Sequence, residues 1–183
     1  MDYDPSQVYR PEADTFLLLD AALREVRRSD RVLEVGTGSG LIAATVGKEA
    51  PVVATDINPH AAVSARRQGI DIVRCNLMDA LSGKFDLVLF NPPYLPTEPH
   101  ERIDDWLEYA LDGGKTGRAT LERFAASVGR VLAPGGRILV LISSLTGQNE
   151  VKALFANEGY SAEVVREEKV EDEVLSVLRC VRR

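Results

Sequence analysis

The feature that most constrains this chain is an alternation. Short, almost wholly apolar runs change places with stretches whose apolar residues fall at helical spacing: "RVLEVG", "LIAATVGKEA", "VVATD", "PHAAVSARRQ", "DIVRC" and then "FDLVLF". Runs of this length read as strands covered on both faces, and the periodic stretches between them as helices. Strands and helices that alternate through short connections imply a parallel sheet with helices on both sides. Upstream, "ADTFLLLDAALREVR" predicts a helix through Phe16, Leu17, Leu19, Ala22, Leu23 and Val26. Downstream come a helix around "DDWLEYAL", a loop "DGGKTG", a helix "RATLERFAASVGRVL", a turn "APGG", a buried strand "RILVLI" and a helix "GQNEVKALFANEG". The closing "SAEVVREEKV" and "EVLSVLRCV" pair as an antiparallel hairpin. With no repeat, low-complexity tract or linker, residues 1–183 read as one domain that opens on an arm and helix at residues 1–28.

The fourth strand ends abruptly. After "FDLVLF" the chain continues Asn91-Pro92-Pro93-Tyr94, and two prolines remove amide donors and fix φ, so pairing stops at Asn91. Glycine or aspartate would end a strand without such stiffness. The first strand ends differently, in "LEVGTGSGLIA", where Gly36, Gly38 and Gly40 precede a helix. Such a loop lets backbone approach a ligand closely and offers the free amides of a helix start. A dinucleotide fingerprint would place its third glycine at Leu41, which weakens a nicotinamide reading. Asp56 closes the second strand, where an acid either accepts ribose hydroxyls or caps the next helix. Glu34 sits in an apolar strand, where a buried carboxylate calls for a ligand or a backbone donor. In a parallel sheet the glycine loop, Asp56 and the Asn-Pro-Pro-Tyr turn all lie at one carboxyl edge.

Composition narrows the function. A chain of 183 residues, 45% hydrophobic, buries a full core without disulfides or a structural metal. Cys75 and Cys180 fall in predicted strands with no Cys-x-x-Cys pair, so they read as core thiols and no metal site is expected. The N-terminus "MDYDPSQVYRPEAD" has no apolar signal core and no run approaches membrane-span length, which points to the cytoplasm. A net charge of -6 argues against a free-standing nucleic-acid binder. Glu98, Glu101, Asp104, Asp105, Glu108 and Asp112 face a single base, Arg102, and form either a solvated acidic helix face or a surface matched to a substrate.

"EVGTGSG", "ATDINPHA", "FDLVLFNPPYLP" and "ALDGGKTG" together resemble the HemK-type S-adenosylmethionine-dependent methyltransferases, which modify the side-chain amide nitrogen of glutamine in translation release factors. The arm "VYRPEADTFLLLDAAL" and the short length resemble most the archaeal and eukaryotic branch, whose members work with a small zinc-binding activator. The resemblance runs from Val8 to the C-terminus. It implies a seven-stranded, Rossmann-like class I methyltransferase fold, mostly parallel with a C-terminal antiparallel hairpin, its N-terminal arm and helix packed over the cofactor site. It further implies that Gly36, Gly38 and Gly40 line the methionine part of S-adenosylmethionine, with Glu34 close by and Asp56 on the ribose. Asn76 and Leu77 fall where the family contacts adenine, Asn76 standing where an aspartate is commoner. Thr15, beside Asp14, and Asn91 complete the cofactor contacts, while Ala13 replaces a frequent glutamate. In the implied sheet order the strand from Ile70 to Arg74 is an open edge, where the activator would dock by strand addition and hold the zinc itself.

Asn-Pro-Pro-Tyr suits this chemistry. A glutamine amide nitrogen is a weak nucleophile, its lone pair delocalised into the carbonyl. The side-chain oxygen of Asn91 and the carbonyl of Pro92 can accept its two protons, which aligns the nitrogen and favours charge developing on it, and Tyr94 can pack on the planar amide. The implied substrate is the Gly-Gly-Gln loop of a class 1 release factor and the product S-adenosylhomocysteine. The same turn occurs in enzymes that methylate adenine N6 of DNA or RNA, and members of the eukaryotic branch have been linked to lysine. The acidic stretch disfavours phosphates near the site, so nucleic acid is the weaker alternative. A partner that binds the cofactor without catalysis is a further class, which substitution of Asn91 separates from an enzyme.

Overall fold

The computed structural model describes residues 3–98, 100 and 105–183. The first helix, α1 (Ala13–Glu25), is followed by β1 (Val32–Val35), α2 (Leu41–Val46), β2 (Val52–Asp56), α3 (Pro59–Arg67), β3 (Asp71–Arg74) and β4 (Phe85–Phe90). Then come α4 (Ala119–Val128), β5 (Leu132–Ser143), α5 (Gln148–Asn157), β6 (Tyr160–Val170) and β7 (Glu173–Arg182). The seven strands form one sheet in the order β3-β2-β1-β4-β5-β7-β6. Pairing is parallel from β3 through β5, while β7 runs antiparallel to both β5 and β6. This is the seven-stranded α/β arrangement with a C-terminal hairpin that the resemblance implies.

Side chains of successive strand residues leave on opposite faces, and the two cores divide accordingly. Leu33, Val35, Val88 and Phe90 pack beneath α4 and α5 with Leu121, Phe124, Val151 and Phe155. Val32, Leu87 and Leu89 pack beneath α1 and α2 with Leu17, Leu18, Ala21, Ile42 and Val46. Burial on both faces is why the central strands read as unbroken apolar runs. Strand order reverses between β1 and β4, which opens a crevice beyond the carboxyl ends of β1, β2 and β4.

Local details depart from the sequence reading. Phe16 and Leu23, two of the apolar positions whose spacing predicts α1, are 55% and 43% exposed, whereas Leu18 and Ala21 are buried. A helix apolar on nearly every side does not announce which face it buries. The helix expected over "DDWLEYAL" is, among the described residues, a single 3-10 turn at Glu108–Ala110. Contacts from elsewhere hold this segment: Gln7 Oε1 accepts the Trp106 amide, and the Arg74 guanidinium lies 5.7 Å over the Trp106 ring. Cys75 lies one residue past β3, half-buried, and Cys180 is buried in β7; both are free thiols. The "APGG" turn is absorbed into β5, whose register with β4 shifts there. No described helix is long and apolar enough to cross a membrane, and no described cluster of His, Cys, Asp and Glu has the makings of a metal site.

Candidate active site

Two adjoining cavities of about 630 and 500 Å³ lie beyond the carboxyl ends of β1, β2 and β4. Both fall in the roughly 300–1,000 Å³ range of small-molecule sites. Gly36, Asp56, Phe90, Pro93 and Tyr109 line both, so the two are compartments of one crevice. The first is closed by Tyr9, Asp14 and Thr15 from the arm and α1 on one side and by Asn91, Pro92 and Tyr94 on the other. The second has apolar walls from Val35, Ile57, Leu77 and Phe90, with Asn76 and Glu108 among its polar groups.

Asn91 is aimed by Asp14. Its Nδ2 donates to Asp14 Oδ2 at 3.0 Å, and the Tyr9 hydroxyl donates to the same oxygen at 3.0 Å. The other Asp14 oxygen accepts the amide and hydroxyl of Thr15. A carboxylate only accepts, so the amide nitrogen of Asn91 must face Asp14 and its oxygen must point the other way. That oxygen, Oδ1, is buried and has no hydrogen-bond partner. Burial and the nearby Asp14 carboxylate raise the phenol pKa of both Tyr9 and Tyr94, so both rings meet the cavity as neutral phenols. The turn itself is braced by the "DGGKTG" loop. The Leu95 amide donates to Leu111 O at 3.1 Å, Gly113 N to Leu95 O at 2.9 Å and Thr97 N to Gly114 O at 3.1 Å. Gly117, at φ 69°, approaches so closely that an added Cβ would lie 2.5 Å from Tyr94 O. Only glycine satisfies both demands.

The glycine side is organised differently. Glu34 is buried, and its Oε2 accepts the Thr37 hydroxyl at 2.6 Å and the Ala43 amide at 2.9 Å, tying the loop to the start of α2. Burial pushes its carboxyl up to about 8 against these two donors. Asp56 accepts from Gly38 N through Oδ2 and from Asn58 N through Oδ1, both at 2.8 Å. Burial raises its pKa too, with the backbone donors opposing. The cap of α3 is Asn58, which accepts from His60 N, so the capping role open to Asp56 belongs to its neighbour.

Residues 11–104 match the family model described as Methyltransferase small domain. The chain is 40% identical over 184 residues to "Putative protein N5-glutamine methyltransferase MJ0928" of Methanocaldococcus jannaschii, covering 96% of this chain and 92% of that protein. It is 34% identical over 195 residues to the human "Methyltransferase HEMK2", covering 95% and 89%. The structure superposes with a TM-score of 0.82 at 30% identity on a protein of the E. cuniculi Mtq2-Trm112 complex, covering 97% of this chain and 99% of that one. That complex is described as responsible for methylation of the eRF1 translation termination factor. The chain belongs to the HemK-like methyltransferases.

Within this methyltransferase, the crevice gathers most of the residues singled out from sequence. Thr15, Gly36, Gly38, Asp56, Asn91, Pro92 and Tyr94 line the first cavity, and Asn76 and Leu77 the second. Two residues lie elsewhere. Gly40 lines neither cavity; it starts α2 at φ 89°, and a Cβ there would lie 2.8 Å from Gln68 Nε2 and 3.2 Å from Ala65 Cα, so close packing on α3 explains the glycine. Glu34 lines neither and braces the loop from behind. Of the acidic stretch, Glu101 and Asp104 lie outside the described residues, while Glu108 and Asp112 line the second cavity. Sequence reasoning gave Asp14 no task beyond matching the arm and did not single out Tyr9 or Tyr109. An acid in the first turn of a strongly apolar helix was the available signal for Asp14, which is 3% exposed.

Proposed function

We propose that this methyltransferase transfers a methyl group from S-adenosylmethionine to the side-chain amide nitrogen of the glutamine in the Gly-Gly-Gln loop of a class 1 release factor. The observation that carries the reading is the buried, unpartnered Oδ1 of Asn91, held in the crevice by Asp14. A buried acceptor without a donor is costly, so its place is that of a group that receives a proton-bearing nitrogen.

When bound, S-adenosylmethionine supplies an electrophilic methyl group on a sulfonium sulfur. Gly36, Gly38 and Thr15 would hold its methionine part, Asp56 the ribose, and Asn76 and Leu77 the adenine, with Asn91 lining the first cavity. The residues present suit that cargo. The glycines leave their side of the first cavity open, an added Cβ on Gly36 or Gly38 meeting nothing nearer than 3.7 Å. Asp56, lining both compartments, has lone pairs beyond those given to Gly38 and Asn58. Asn91 Oδ1 and the carbonyl of Pro92 accept the two protons of the glutamine amide, which fixes its nitrogen and favours the positive charge that develops during attack. Tyr94 packs on the amide plane. No base is needed before transfer, because the extra proton leaves from the product.

A small zinc-binding activator would dock on the β3 edge from Ile70 to Arg74, where Ile72 and Val73 are only half-buried and the outer backbone side of the sheet ends. The zinc belongs to that partner. The reaction belongs in the cytoplasm, where translation terminates. Mass spectrometry tests the substrate: with release factor and ribosomal RNA offered together, the methyl group is expected on the loop glutamine and absent from a factor carrying Gln→Ala. Label on adenine or on lysine would replace this reading by one of its alternatives. Coexpression with the activator followed by size-exclusion chromatography is expected to give one complex. A fully active monomer without it would count against the partner.

A further inference from the structure

Among the described residues, three buried side-chain polar atoms lack a hydrogen-bond partner: Asn91 Oδ1, Arg179 Nε and Glu108 Oε1. Asn91 looks into the first cavity and has its task. Glu108 lines the second, on the 3-10 turn Glu108–Ala110, within the acidic stretch that the sequence reads as either a solvated helix face or a surface matched to a substrate. We infer that Glu108 reads the exocyclic amine of the cofactor's adenine, accepting one N–H while Asn76 accepts the other; the inference rests on the methyltransferase reading above and adds to it a residue that selects a 6-aminopurine.

Four observations converge on this assignment. The Glu108 oxygen is withdrawn from water and without a protein donor, so it is matched by a ligand that brings an N–H. The cavity that it lines has walls suited to a flat ring, from Ile57, Leu77, Phe90 and Pro93. Leu77 holds φ 48°, a conformation rare for such a residue, and its carbonyl is pinned by the Thr55 hydroxyl at 2.6 Å, so the wall is set in advance. Asn76, which the family resemblance places at the adenine, lines the same cavity and carries no charge. A primary amine on a purine has two N–H groups in the ring plane, and two side chains that accept can use both. Glu108 is itself held from outside the cavity: its amide donates to Asp105 Oδ1 at 2.9 Å, and Trp106, two residues earlier, is anchored by Gln7 and Arg74.

The test is ligand discrimination, read by calorimetry without turnover. S-adenosylhomocysteine is compared with its deaminated form, in which a carbonyl oxygen replaces the amine and would face the Glu108 carboxylate. The wild-type protein is expected to bind the amino form at least ~30-fold more tightly, in keeping with the strong rejection that buried, mismatched hydrogen-bonding groups produce. Glu108→Gln can turn its amide to donate, and Glu108→Ala removes the repulsion; in both the ratio is expected to fall below ~5-fold. A ratio unchanged from wild type in both variants would overturn the assignment of Glu108 and leave the methyltransferase reading standing. Failure of the wild-type protein to bind S-adenosylhomocysteine at all would overturn that reading, and this inference with it.

Discussion

The glycine loop after β1 and the Asn-Pro-Pro-Tyr turn after β4 end neighbouring strands of one sheet, yet they treat their polar groups in opposite ways. On the glycine side, the Glu34 and Asp56 carboxylates are buried and answered from within, by Thr37, Ala43, Gly38 and Asn58. That side offers shape: a loop fixed from behind, with space in front. On the turn side, one acceptor is aimed and left open, Asn91 Oδ1. A binding surface can be complete before its ligand arrives, whereas a group that acts on the reacting nitrogen must keep its capacity until then.

If that division holds, damage to the two sides should separate. The largest effect short of removing Asn91 is expected from Asp14→Asn. An amide has one oxygen to accept with, where Asp14 receives Tyr9, Asn91 and Thr15, so Asn91 loses its fixed orientation at no change in volume. Turnover should fall by about 100-fold, with cofactor affinity changed far less. Equal losses in both would erase the distinction between the sides. Asp56→Ala should do the reverse, weakening cofactor binding by roughly 1.5–3 kcal/mol for a lost charged hydrogen bond, as calorimetry with S-adenosylhomocysteine would show. Unchanged affinity would reduce Asp56 to a support of the Gly38 and Asn58 amides.

A separate effect falls on stability, read as its slope with pH. The Glu34 carboxyl, ordinarily near 4.5, is pushed up to about 8 by burial, so between those values the folded chain binds a proton that the unfolded chain releases. Its contribution is full below about 4.5 and is lost as the pH rises through about 8. Thermal unfolding of Glu34→Gln should therefore show a shallower loss of stability than wild type between pH 5 and 8. A parallel pair of curves would mean that the Glu34 proton plays no part.

The sheet was legible in the sequence because alternation is local: apolar runs and helical spacing sit within a few residues of each other, and the prolines after Phe90 announce the end of β4. The edge where the site lies followed from the same pattern. Contacts across the fold left no such trace. Asp14 and Asn91 stand 77 residues apart, and nothing near either names the other. Gly40 was read as part of the ligand loop because it continues a glycine series, while its reason is the approach of α3. The segment at Glu108 was read as a helix from its own composition, but it is held by Gln7 and Arg74, which belong to the arm and to β3.

The central claim is that Asn91 presents an open acceptor to the nitrogen that is methylated, and Asn91→Ala tests it most directly when transfer and binding are measured on the same preparation. The account predicts that single-turnover methylation of the release factor falls at least ~100-fold while S-adenosylhomocysteine binds within about threefold of wild type. Retention of most of the methyl transfer, or a loss of cofactor affinity as large as the loss of rate, would contradict it.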